Sequence, residues 1–134
     1  KLFTKILSGK DVIITPHEGE LKSILPNLSG SLISKALKSA KILNTIVVLK
    51  GPTTVIASPN NKAFVNTAGA KWLATAGSGD VLAGIIGGLL SNKMETFYAA
   101  AYGVWMHSEA GKYLGPGLIA EDIPKILPKI IKKI

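Results

Sequence analysis

The sequence predicts an α/β domain: a mainly parallel sheet with flanking helices. Three observations predict it. Residues 11–15 and 45–50 are short apolar runs bounded by turn residues, the pattern of strands buried on both faces. Helix-length segments with apolar residues at 3.6 spacing lie between and after them. A small-residue loop, Ala74 to Gly79, feeds directly into a long apolar segment, residues 80–91.

Taken in order, residues 1–10 read as a short lead, a frayed helix that closes at Gly9. Residues 11–15 are the first strand, ended by Pro16. A helix can form over residues 18–25. His17 therefore stands at the C-terminal end of a strand, where open α/β sheets bind ligands. A capping or surface histidine fits the same position. Residues 28–43 read as an amphipathic helix, with Leu32, Ala36 and Leu43 on one face and Lys35, Lys38 and Lys41 outside. Residues 45–50 are the second strand. Lys50 at its end can meet a phosphate or be a solvated strand end. Residues 54–57 and 63–65 read as a hairpin around Pro59-Asn60-Asn61. Residues 66–71 are an irregular connection to Trp72.

The stretch from Leu73 to Leu90 organises the chain. Gly77 and Gly79 permit tight backbone conformations and close approach to a ligand. A helix starting here turns free N–H groups and the positive end of its dipole toward the loop, which makes an anion site. Asp80 at the helix start would repel a phosphoryl group unless it takes a proton from the incoming nucleophile. Gly-Ser-Gly-Asp alone favours a tight turn with Asp80 as an ordinary N-cap, because short glycine motifs match often by chance. The helix tips the balance. Gly84, Gly87 and Gly88 each weaken a helix interior by about 1 kcal/mol relative to Ala. Val81, Leu82, Ile85, Ile86, Leu89 and Leu90 cover most of the circumference, so burial on nearly all sides is expected.

Residues 95–114 form a further helix, with Phe97, Ala101, Val104, Trp105 and Ser108 on one stripe. His107 and Glu109 fall off the stripe and read as structural or surface groups. Gly115-Pro-Gly117 stops the helix. In the tail, Ile123, Ile126, Leu127, Ile130, Ile131 and Ile134 alternate helically with lysines. Pro124 suits a first turn and Pro128 is expected to kink the segment.

Composition narrows the function classes. The 134 residues allow one domain with a real core, and 47% hydrophobic content argues against disorder. The apolar runs are far shorter than the roughly 20 residues of a membrane span, so no membrane partner is expected. There is no cysteine, which fits a reducing, cytoplasmic setting. The formal charge of +8 is spread over scattered lysines with no arginine-rich or aromatic-interleaved patch. That reads as a solvated basic surface favourable to an anionic small substrate, with no nucleic acid partner expected.

Four motifs then occur in order: Thr15-Pro-His-Glu-Gly-Glu20; Val48-Leu-Lys-Gly51 with Thr54-Val-Ile56; Trp72-Leu-Ala-Thr-Ala-Gly-Ser-Gly-Asp-Val-Leu-Ala-Gly84; and Gly115-Pro-Gly-Leu-Ile-Ala-Glu-Asp122. Together they resemble the C-terminal half of the ADP/ATP-dependent NAD(P)H-hydrate dehydratases of the ribokinase-like superfamily. The resemblance implies a ribokinase-like half domain that takes part in repairing hydrated NADH or NADPH, or an inactive remnant of that enzyme. It implies ATP or ADP, with Mg2+, as the activator of the hydrate's hydroxyl. It implies Asp80 as the base on that hydroxyl, at the hydrate, and Gly77, Ser78 and Gly79 as the anion hole. His17 would line the hydrate site, and Lys50, Gly51, Pro52, Thr53 and Thr54 would border the nucleotide. No dedicated metal ligands are visible. Ala70-Lys71-Trp72 stands where many members carry Asn-Pro-Gly. Nothing matches the family's N-terminal half, so a homo-oligomer or a separate N-terminal half is expected to complete the site. A ribokinase-like kinase of a small hydroxylated metabolite and a non-catalytic nucleotide-binding module are the alternatives.

Overall fold

A computed structural model describes residues 5–6 and 11–132. Its elements are β1 (Ile13–Ile14), α1 (Glu18–Ile24), α2 (Leu32–Leu43), β2 (Ile46–Leu49), β3 (Thr54–Ala57), β4 (Ala63–Asn66), a 3-10 turn (Lys71–Leu73), α3 (Ser78–Ser91), α4 (Thr96–Leu114) and α5 (Asp122–Ile131). The lead expected over residues 1–10 lies outside the described residues except for 5–6, as do the last two residues of the tail.

The strands stand in the order β1-β2-β3-β4. β1 and β2 are parallel, with Ile13 opposite Ile46 and Ile14 opposite Val47. β2–β3 and β3–β4 are antiparallel. The expectation of a mainly parallel sheet is corrected to a mixed one. Connection length is the reason. α1 and α2 bridge β1 to β2, long enough for a crossover. Only residues 50–53 join β2 to β3, and a parallel crossover needs a dozen residues or more.

Strand alternation builds two cores. Ile46, Val48 and Ile56 face α3 and α4, where they meet Leu82, Ile86, Phe97, Ala100 and Val104. Val47, Leu49, Val55 and Ala57 face the other way, onto Leu21, Ala36 and Ala40 of α1 and α2. A third cluster joins Ile85 of α3 and Met106 and Ala110 of α4 to Ile123, Ile126 and Ile130 of α5. The expected start of α2 at residue 28 moves to Leu32. Ser31 caps it, accepting the Ser34 N–H at 3.2 Å, and Gly30 (φ +113°) turns the chain just before. α5 runs through Pro128 as one helix.

The burial of α3 differs from the expectation. Ser78, Leu82, Ile85 and Ile86 are buried, but Asp80, Ala83, Gly84, Gly87 and Gly88 are exposed. A Cβ added at Gly84, Gly87 or Gly88 would meet nothing within 4 Å. One face of α3 is thus bare backbone and methyl groups. The helix wrapped on most sides is α4, whose buried residues include Phe97, Ala100, Gly103, Val104, Met106, His107, Ala110 and Gly111. Its small residues allow close approach: a Cβ on Gly103 would stand 2.5 Å from Ile86 Cγ1, and one on Gly111 2.6 Å from Leu73 Cγ.

Candidate active site

A cleft of about 650 Å3 opens at the C-terminal ends of β1 and β2, over the first turn of α3. Its walls come from four places in the chain. His17, Lys50, Gly51 and Pro52 follow β1 and β2, and Thr54 opens β3. Gly69 to Lys71 with Leu73 to Thr75 form the connecting loop. Ser78, Gly79 and Leu82 belong to α3, and Val104, His107 and Ser108 to α4.

Lys50 is fixed by backbone. Its N–H donates to the Pro16 carbonyl at 2.8 Å, and His17 and Lys50 form a parallel bridge that extends the β1–β2 ladder. Its ammonium therefore projects from a rigid strand end toward α3. Lys50 Nζ lies 3.2 Å from the place a Cβ on Gly79 would occupy, a tight contact that a side chain there would relieve only by moving the amine a few tenths of an ångström. Nζ also lies 3.7 Å from Glu20 Oε2.

The first turn of α3 is built around Gly77, the N-cap, at φ +82° in the left-handed region that favours glycine. The expectation that Gly77 to Gly79 all present free N–H groups is narrowed. The Ser78 N–H donates to Thr75 O at 3.3 Å, and the Asp80 and Val81 N–H groups donate to Gly77 O at 3.1 Å. Gly79 N–H has no acceptor among the described residues and sits in the cleft wall beside Lys50. One backbone donor, the positive end of a 14-residue helix and an ammonium thus converge on one spot. That arrangement can hold a phosphoryl group.

His17 caps α1 and borders the cleft. Its Nδ1 accepts the Glu20 N–H at 3.0 Å while Glu20 Oε2 accepts the His17 N–H at 2.7 Å, a capping box at the start of α1. The ring also borders the cleft. The backbone hydrogen bond from His17 is the main cause that lowers the Glu20 carboxyl below its ordinary value, with the Lys50 and His17 charges adding to it against some desolvation. Thr54 lines the cleft and bonds the Gly51 carbonyl through its hydroxyl at 3.2 Å. Thr53, Gly77 and Asp80 are not among the lining residues. Asp80 is exposed on the first turn of α3, toward the helix's bare face.

His107 is the residue that the sequence reading left out of the site. It is buried on α4, lines the cleft, and its Nε2 lies 3.0 Å from Ser78 Oγ. Burial lowers its pKa, and the Ser78 hydrogen bond opposes that only in part. A neutral imidazole therefore anchors the first residue of α3. Beside it, Asn66 Nδ2 donates to Ser108 Oγ at 2.6 Å, tying β4 to α4. A signal for His107 exists in the sequence: it sits four residues from Gly103 and four from Gly111, on the row of α4 where neighbours approach closest. Among the described residues no three His, Cys, Asp or Glu side chains cluster as a metal site, and no helix is long and apolar enough to cross a membrane.

The fold is ribokinase-like: a ribokinase-like superfamily protein of Enterococcus faecalis superimposes with a TM-score of 0.77 at 33% identity over 98% of this chain and 49% of that one. The family profile of NAD(P)H-hydrate dehydratase matches residues 4–132, and the chain belongs to that family. The ADP-dependent (S)-NAD(P)H-hydrate dehydratase of Neisseria meningitidis serogroup B is 39% identical over 85% of this chain and 42% of its own length. The enzyme of the same name from Xanthomonas campestris is 32% identical over 94% of this chain and 47% of its own. The ADP/ATP-dependent NAD(P)H-hydrate dehydratase of Bacillus subtilis, crystallised with ATP/Mg2+ and soaked with CoA, superimposes with a TM-score of 0.85 at 32% identity over 91% of this chain and 48% of that one. The chain thus spans about half the length of the relatives it matches.

Proposed function

We propose that this chain supplies the nucleotide-phosphate side of an ADP- or ATP-dependent NAD(P)H-hydrate dehydratase, and acts in that reaction together with a further polypeptide segment that covers α3. The single observation that carries the proposal is the convergence of Lys50 Nζ, the acceptor-free N–H of Gly79 and the start of α3 in one cleft. Family membership and the relatives' names support the choice of reaction.

The residues fit an adenine nucleotide. The cleft is of the size that takes a small-molecule cofactor. Lys50 and Gly79 N–H would hold a terminal phosphoryl group, while Gly51, Pro52, Thr53 and Thr54 would border the rest of the nucleotide. A bound nucleotide supplies phosphoryl activation of the hydrate's hydroxyl, and Mg2+ would be carried by the phosphates rather than by a cage of this chain's carboxylates. Asp80 stands outside the nucleotide cleft but only one residue from Gly79. There it would accept the proton of a hydroxyl brought against α3 from the cleft that His17 borders. Ser78, held by His107, would fix the loop between the phosphate and the base.

The test is turnover of hydrated NADH with ADP or ATP, followed by the return of the reduced dinucleotide. The chain is measured alone and mixed with the part of the Neisseria relative that it does not match. Activity in the mixture that is lost in Asp80→Asn is the expected result. No turnover in any mixture, with nucleotide bound, would leave a binding module.

A further inference from the structure

Lys50 is placed where a cation is unfavourable. Its ammonium faces the positive end of α3, beside Gly79. A negative group has to stand near it, and the structure supplies Glu20. We propose that Glu20 is the positioning counter-ion of Lys50: it holds the amine over Gly79 when no anion is bound, and gives the amine up to a phosphoryl group that enters. The proposal rests on the reading of the cleft as a phosphate site, and deepens it.

The carboxylate is held in place by α1, not by the lysine. Glu20 Oε2 accepts the His17 N–H at 2.7 Å, and the Glu20 N–H donates to His17 Nδ1 at 3.0 Å. The ring's other nitrogen lies 3.6 Å from Oε1. This pre-fixed carboxylate faces Lys50 Nζ at 3.7 Å, an ion-pair distance outside hydrogen-bond range. Lys50 is backbone-locked from its own side through Pro16. The first turn of α1 and the end of β2 therefore bring one carboxylate and one amine to ion-pair distance without a hydrogen bond between them. The pair orients Nζ and is weak enough to exchange. An incoming phosphoryl group carries more charge than the carboxylate and can also take the Gly79 N–H, which Glu20 leaves without an acceptor. Glu20 thus sets where Lys50 points and competes with the ligand for it, so it should lower phosphate affinity while speeding release.

The experiment is calorimetric titration of pyrophosphate into the 134-residue chain and into its Glu20→Gln, Lys50→Met and double variants. Gln keeps an oxygen for the His17 N–H, so the α1 cap is preserved and only the charge is lost. Glu20→Gln should bind pyrophosphate about two- to fivefold more tightly, the range of an exposed ion pair. Lys50→Met should weaken binding, and the double variant should match Lys50→Met alone. A second readout needs no ligand: the rate at which the Lys50 amine is acylated, followed by peptide mass spectrometry. Removing the neighbouring carboxylate should raise that rate in Glu20→Gln. Equal or weaker pyrophosphate binding in Glu20→Gln, with Lys50→Met still weakened, overturns the role of Glu20 alone. Unchanged binding in Lys50→Met overturns the phosphate reading of the cleft and the proposal with it. An acylation rate that Glu20→Gln leaves unchanged also overturns it, because the pair would then not hold the amine.

Discussion

At the scale of single residues, the site is built from two backbone facts, one exposed carboxylate and one buried ring. The strand ladder fixes the main chain of Lys50 at the mouth of the cleft. The missing side chain of Gly79 lets the amine approach the backbone closely. Gly79→Ala should therefore fold normally, shift Nζ by a few tenths of an ångström, and weaken the nucleotide binding that calorimetry measures in the parent chain. Unchanged affinity would place the phosphate elsewhere. Asp80 is exposed at the third position of α3, where a carboxylate gains about 0.3–1 kcal/mol from the dipole. Asp80→Asn should then lower the melting temperature by no more than about 1–4 °C, but lower turnover by about 10² to 10⁴ if Asp80 is the base. A collapse of stability with nucleotide affinity lost in parallel would make it a helix-start residue only. His107 adds a pH dependence. Its folded pKa lies below that of an unfolded histidine, about 6.5, chiefly because the ring is buried. The neutral ring is the form that the fold accommodates. Its stabilisation is complete above that unfolded value and is lost as pH falls from there through the folded one. Melting temperatures measured through this window should fall more steeply for the parent than for His107→Gln, and equal slopes would show that the ring is not the titrating group. Most of these residues were legible as positions in motifs: Lys50 at a strand end, Gly79 in a glycine loop, His17 after a strand. His107 was not, because it lies off the hydrophobic stripe of α4, and a stripe reports apolar burial only.

At the scale of elements, the sequence reading named both helices of the central layer and exchanged their environments. α3 is richer in Leu and Ile, so its periodicity reads as burial all round. α4 carries Tyr98, Tyr102, Glu109 and Lys112, so it reads as one-striped. The structure seats α4 between the sheet, α3 and α5, and leaves one face of α3 open. Hydropathy counts side chains, whereas close approach is made by the residues that lack them. The glycines of the two helices should therefore respond oppositely. Gly103→Ala pushes a methyl group against Ile86 Cγ1 at 2.5 Å and should cost about 1–3 kcal/mol in a denaturant titration. Gly84→Ala and Gly87→Ala meet open space and should each stabilise the isolated chain by up to about 1 kcal/mol. A destabilised Gly87→Ala would mean that the face is already covered in the isolated protein. The hairpin of β3 and β4 was legible because Pro59-Asn60-Asn61 is turn chemistry, with Asn61 at φ +62°. The antiparallel β2–β3 pairing was less so, because buried strands of either direction read as the same apolar run.

At the scale of the whole molecule, the bare face of α3 and the sheet's edges belong to one argument. Among the described residues β1 is an edge strand, paired on one side only, with β2. The exposed face of α3 offers Ala83, Gly84, Gly87 and Gly88, a flat strip without long side chains to solvate it. Free edges and bare apolar strips are surfaces that folded proteins usually cover. The relatives extend to about twice the length matched here, which is enough chain to cover both. Asp80, on that same strip, would then face the covering segment and not bulk water. We therefore predict that the chain on its own self-associates, or pairs with a complementary segment, through α3 and the β1 edge. Self-association would bury the strip without rebuilding the hydrate side of the site, so turnover should be weak or absent until the complementary segment is added. Bulky residues on the strip separate covering from folding. Gly87→Leu should leave the chain's helical signal intact while breaking the association seen by light scattering. In the completed mixture it should abolish turnover but spare pyrophosphate binding at Lys50 and Gly79. A well-folded monomer that turns over hydrated NADH unaided would refute this, because Asp80 would then be working from an open surface.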